Sequence, residues 1–290
     1  MKWKIFVLIV AGVLAAQACS SIAPPASMDQ SNSEAAVVGG TETAIAGLTG
    51  ETPSAAVPVT FKNISFIIPA GLATGANPQE MPAVGSAGAP WEIAPAYTKV
   101  TLTGYPLQGK LFEPHILVYP ASEYEATDHP SAAQTLDRLR VLISEPDLPA
   151  NDGVPGAPMF NAAKVFGSQI AKVNMQNVAG VRLLTEYAQG ISPISNLELV
   201  YQFQGLTSDG KYYIIANLPV NVSFLAADEN PASPIPAEGV PFPDLDNADA
   251  GQINAYVQTV ADRLNATSPD SFQPTLAQLD ALIQSINVSP

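Results

Sequence analysis

The sequence predicts an α+β fold: a largely antiparallel sheet of about seven strands packed by helices, behind a signal peptide and a flexible tether. Three observations lead there. Apolar and polar residues alternate in short segments rich in β-branched side chains, the period of strands. The last four such segments are joined by short turn sequences and not by crossover helices, which makes their pairing antiparallel. Helical spacing replaces alternation at 130–144 and twice more near the C-terminal end.

The boundaries follow in chain order: a signal peptide at 1–18, a modified cysteine and linker at 19–57, and one folded domain at 58–290. Lys2 and Lys4 form a positive start, and residues 5–16 are apolar but too few to span a bilayer. Ala16, Gln17 and Ala18 then precede Cys19, the sole cysteine of the chain. This layout resembles a bacterial lipoprotein signal, in which Cys19 becomes the lipidated first residue. Such signals usually carry Leu where Ala16 stands, and the same three residues also suit cleavage by ordinary signal peptidase. Residues 20–57 are dominated by Ala, Ser, Gly, Thr and Pro without aromatic residues, the composition of a tether.

In the folded part, 59–68 ("VTFKNISFII") reads as one strand and 69–90 as a long loop. Strands follow at 99–104 and 115–119. Apolar Ala132, Leu136, Leu139 and Ile143 then line one face of a helix, with Asp128 or Ser131 as its cap and Pro146 ending it. A short second helix is predicted within "MFNAAKVFGSQ", capped by Asn161. Next comes a four-stranded meander over 170–175, 181–188, 197–206 and 211–220. Its last hairpin puts Tyr212, Ile214, Ala216 and Leu218 on one face and Tyr213 and Ile215 on the other, so part of the second face is expected to be covered too. Two helices follow, one through Ile253, Tyr256, Val260 and Leu264, the other through Leu276, Leu279, Leu282 and Ile286 with Pro274 in its first turn.

Composition narrows the function. Lys and Arg number 12 against 26 Asp and Glu, a net charge of −14 that repels phosphate backbones, so no nucleic-acid partner is expected. One cysteine and two histidines provide no thiolate or histidine-rich metal centre, and no cofactor is expected. Ser208, Asp209 and Gly210 read as a hairpin turn and not as a nucleophile beside an acid. His115 and His129 lack the motif of a serine hydrolase around any serine. Asp244, Asp246 and Asp249 miss the spacing of a calcium loop and suit the start of a helix. Tyr187, Tyr201, Tyr212 and Tyr213 are the candidate ligand-binding residues. A catalytic alternative needs two or more of Glu198, Asp209, His115 and Arg182 to converge in a deep cleft.

Residues 180–220 carry a dense block: G-V-R at 180–182, L-T-x-Y-A-Q at 184–189, P-I-x-N at 193–196, E-L-x-Y at 198–201 and F-Q-G-L-T-x-D-G-x-Y-Y at 203–213. With "FKNISFIIPAGLA", "HILVYPASEYEA" and "LAQLDALIQSINV", this block resembles a family of uncharacterised, exported bacterial lipoproteins over most of 59–288. The resemblance implies an envelope location, lipid-anchored outside the cytoplasm, and no particular reaction. The expected function is therefore a membrane-tethered, non-enzymatic domain that binds a protein or small-molecule ligand, with an unfamiliar hydrolase as the alternative.

Overall fold

A computed structural model describes residues 55–148, 153–157 and 160–289; Cys19, the stretch read as a signal peptide and most of the stretch read as a linker lie outside the described residues. Among the described residues, twelve strands and four α-helices follow in the order β1 (Val57–Phe61), β2 (Ile64–Ile68), β3 (Gly75–Met81), β4 (Tyr97–Thr103), β5 (His115–Pro120), α1 (Ala121–Glu125), α2 (Ala132–Ser144), β6 (Ala163–Lys164), β7 (Ser168–Asn174), β8 (Val178–Thr185), β9 (Tyr187–Ala188), β10 (Val200–Thr207), β11 (Tyr212–Pro219), α3 (Ala250–Ala266), α4 (Leu276–Gln284) and β12 (Asn287–Val288). The main sheet has seven strands in the order β3-β4-β5-β11-β10-β8-β7, every neighbouring pair antiparallel. A three-stranded sheet, β1-β2-β12, and the short ribbon β6-β9 complete the β structure.

The α+β reading and the antiparallel sheet hold, and the meander pairs as expected. Its four strands join the earlier ones through β11 and β5. Both faces of the main sheet are covered. One face carries Val100, Ile116, Tyr201, Phe203, Ile214, Ala216 and Leu218 into a core shared with β2, α3 and α4. The opposite face carries Leu117, Tyr119, Tyr213 and Ile215 against Tyr124 of α1 and Leu136 and Leu139 of α2. This explains the two-sided apolar hairpin: its central position in the sheet leaves neither face to solvent.

Several elements differ from expectation. The segment 59–68 is a hairpin, because the chain reverses at Lys62 and Asn63 with Lys62 at φ 52°. The alternation continues on either side of the turn, which hides it. The predicted loop at 69–90 contains β3, an edge strand with no β-branched residue and with Pro78 at its centre; sheet edges tolerate proline, and it blocks further pairing there. Within "MFNAAKVFGSQ" the chain forms β6 and enters β7 instead of a helix, since Lys164 pairs with Tyr187 and Ala163 with Ala188. Ser131 holds the N-cap position of α2 without a side-chain bond. Thr275, not Pro274, starts α4, through a reciprocal bond with Gln278. Helix α1 has no counterpart among the expected elements; its five residues have too little length for a period.

Two glycines of the meander have a packing cause visible in the register. Gly205 faces Gly180 across β10 and β8. The Phe203 ring lies over both: a Cβ on Gly205 would stand 2.4 Å, and one on Gly180 2.5 Å, from its Cζ.

Candidate functional site

Between β8 and β9 the strand breaks at Glu186, which turns inward where alternation would place an ordinary sheet residue. The backbone stays tied, Val165 N–H donating to the Glu186 carbonyl at 2.9 Å. The Glu186 side chain is 1% exposed, and its Oε2 accepts from Ser195 N–H at 3.1 Å. Burial, and then the nearby Glu198 and Glu229 carboxylates, push its pKa well above the usual carboxylate range, against the pull of the Ser195 bond. Glu198 is half-buried, and burial raises its pKa as well, while the hydrogen bond from Glu186 pulls the other way. The arrangement is a carboxyl pair in which Glu186, the more deeply buried partner, holds its proton well above the usual carboxylate range. Glu198 Oε2 is shielded and meets no hydrogen-bond donor among the described residues.

Glu198 borders a cleft of about 550 Å³ formed by the β4–β5 loop, the β6-β9 ribbon and residues 189–198. Its wall includes Phe112, Phe160 and Tyr187, which pack as one cluster: Phe160 lies 4.3 Å from Tyr187 and 4.8 Å from Phe112 between ring centroids. Leu111 and Ile191 stand at its edge, 53% and 59% exposed. A second hollow of about 340 Å³, bordered by Trp91 and Lys164, shares Phe160, Ala162 and Tyr187 with the first.

Tyr187 is fixed from behind. Its hydroxyl donates to Gln202 Oε1 at 2.8 Å and accepts from Ala157 N–H at 2.7 Å. Gln202 donates to Asn217 at 2.9 Å, and Asn217 lies 3.2 Å from His115 Nε2. Gln204 donates to the Pro155 carbonyl at 2.7 Å and accepts from the Tyr213 hydroxyl at 2.6 Å. These groups form a connected polar chain on an otherwise apolar sheet face. Such a chain holds its members in one geometry because any break leaves a buried group without a partner. Burial lowers the His115 pKa to about 4, with Lys99 acting the same way, so the ring is neutral within this chain.

The four tyrosines singled out in the sequence go to different places. Tyr187 borders the cleft. Tyr213 lies fully buried in the polar chain, stacked beside Tyr119 and tilted against Tyr124. Tyr201 is buried on the opposite face, its hydroxyl donating to Asp280 at 2.7 Å. Tyr212 is half-buried at a separate hollow of about 480 Å³ beside Lys62, Glu80 and Tyr97.

The catalytic quartet does not gather. Of its four members, Glu198 borders the cleft and the others lie elsewhere. Asp209 accepts from Thr207 and Lys211 at the hairpin end, Arg182 pairs with Asp280 at 3.3 Å, and His115 belongs to the polar chain. The hairpin itself turns over four residues with Gly210 at φ 70° and its N–H donating to the Thr207 carbonyl, not through a two-residue reversal. Asp249 caps α3 with a reciprocal Gln252 bond, and Asp244 accepts from Asp246 N–H and Asn247 within its own turn. Among the described residues no cluster of three or more His, Cys, Asp or Glu is placed to hold a metal ion, and no helix is long and apolar enough to cross a membrane. Sequence reasoning missed Glu186; the available signal was a lone acid inside the apolar run "VRLLTEYA".

Comparison with protein-family models, with curated proteins and with solved structures finds no match for this chain.

Proposed function

We propose that this protein is an extracytoplasmic binding domain, held at a membrane by lipid on Cys19, whose ligand occupies the cleft beside Phe112, Phe160 and Tyr187. The observation that carries the reading is that cleft: a concave, aromatic-walled space of about 550 Å³ with one carboxylate in its wall. Mostly apolar concavities of this size with a few fixed polar groups are the usual form of small-molecule sites. The polar chain behind Tyr187 supports it by pre-setting the wall, which lowers the ordering cost of binding. The signal layout around Cys19 and the tether composition of 20–57 support the membrane attachment.

Two measurements test the proposal. A fragment screen by NMR is expected to shift amides at 160–162 and 187–192, and shifts confined to other surfaces refute the site. Mass spectrometry of the mature N-terminus is expected to find acyl chains on Cys19, and a protein released with an unmodified Cys19 refutes the anchor.

One observation favours an enzymatic second reading, the Glu186–Glu198 pair, because two carboxyls with separated protonation are an acid/base arrangement. The sealed position of Glu186, 1% exposed behind Glu198, favours binding over proton transfer to a substrate. A hydrolase activity lost in both Glu186→Gln and Glu198→Gln decides for the enzyme.

A further inference from the structure

We infer that the cleft takes an organic cation: an amine whose ammonium group is held by Glu198 and whose apolar part lies against Phe112, Phe160 and Ile191. The inference deepens the reading of the cleft as the binding site and rests on it.

Glu198 sets the polarity of the ligand. Glu198 is hydrogen-bonded to Glu186, and beyond that bond its Oε2 meets no donor among the described residues. The Glu198 side chain borders the open cleft with no basic residue beside it there among the described residues, so what pairs with it from the cleft side is an N–H or O–H brought by another molecule. A neutral donor relieves the hydrogen-bond deficit alone, whereas an ammonium group also meets the negative charge of the pair.

The surroundings select against other classes. Among the described residues no Lys or Arg borders the cleft, so an anion meets a like charge with nothing to offset it. Lys110 lies close in sequence, but its ammonium is engaged by the Asn196 carbonyl and the Asn221 side chain. Glu229 adds a further negative charge that both carboxyls of the pair feel. A bare metal ion is a poor fit, because hard cations need about six to eight oxygen ligands and the wall provides a single carboxylate.

The aromatic wall completes the match. The three rings pack on one another, Phe112 and Tyr187 being 6.4 Å apart, so they form a platform and not an enclosing cage. A cation at its edge gains from the ring faces, and the alkyl or aryl part of the same molecule covers apolar surface down to Ile191. The net charge of −14 raises the local concentration of such a ligand before it docks.

The test is isothermal titration of the purified protein with three probes of one skeleton: 2-phenylethylammonium, uncharged 2-phenylethanol and 3-phenylpropionate. The ammonium probe is expected to bind at least about 10-fold more tightly than the alcohol, and the carboxylate more weakly than either. Glu198→Gln is expected to erase the preference for the ammonium, bringing the ammonium and the alcohol to within about twofold of each other. If Glu198→Gln does not fold, the wild-type preference is expected to shrink with rising salt. Equal affinity for the three probes, or a preference that survives both Glu198→Gln and high salt, overturns the cation assignment and leaves the cleft standing as a site. Failure of all three probes to move the amides at 187–192 overturns both.

Discussion

Glu186 shows how one side chain leaves a mark on the whole stability curve. Its folded pKa lies above the ordinary value of 4.5 because burial and the neighbouring carboxylates disfavour its charge. A raised folded pKa means stability that is complete below 4.5 and is lost as pH rises through the folded value. Each pH unit crossed between the two values removes about 1.4 kcal/mol. His115 works in the opposite sense: its folded value of about 4 lies below 6.5, so its contribution is complete above 6.5 and fades as pH falls toward 4. Above pH 6.5 only the Glu186 slope remains of the two. The expected outcome is a melting temperature that falls from pH 7 to pH 9 in the wild type and stays flat in Glu186→Gln, whose amide mimics the protonated acid. A wild-type curve as flat as that of the variant refutes the assignment. Gly205 gives a second prediction at this scale. Gly205→Ala forces the Phe203 ring aside and is expected to cost about 1–3 kcal/mol in denaturant unfolding. Adding Phe203→Leu is expected to recover part of that cost, since it removes the Cζ atom 2.4 Å from the new methyl.

Elements were legible where the pattern outlasted the noise. The strands of the meander and the helices α2, α3 and α4 each carry enough apolar positions to show their period. The first hairpin, β3 and β6 did not, for three different reasons. Lys62 takes a left-handed turn conformation that lysine rarely adopts, and only Asn63 beside it marks the reversal. Strand β3 is held by pairing with β4 alone on one side and needs no β-branched residues. The β6 segment exists because β9 lies beside it, and the pairing of Ala163 with Ala188 is too distant in sequence for a local window to see. The sequence places the start of helix α3 among acidic residues, and the structure resolves which one caps it. Asp249→Ala removes the side-chain half of the reciprocal bond, the acceptor for Gln252 N–H, while the backbone N–H of residue 249 still reaches Gln252 Oε1, and is expected to lower stability by about 0.5–2 kcal/mol. Asp246→Ala, outside that motif, is expected to change it by less than about 0.5 kcal/mol.

At the scale of the molecule, the candidate site was the least legible part, and the reason is geometric. Phe112, Phe160, Tyr187 and Glu198 come from segments that only the closed fold brings together, and no spacing in the sequence connects them. The tyrosines looked like a set because they are close in sequence, yet alternation sends Tyr212 and Tyr213 to opposite faces. The same closed fold has a mechanical consequence, set by the order β1-β2-β12 of the small sheet. Strand β1 is an outer strand, and its first residue, Val57, pairs with Ile68 at the open end of the hairpin. A pull applied at Val57 therefore loads the hydrogen bonds one after another, as in a zipper, and not all at once in shear. Under tension from its N-terminal side β1 is thus the first strand of the small sheet to carry load.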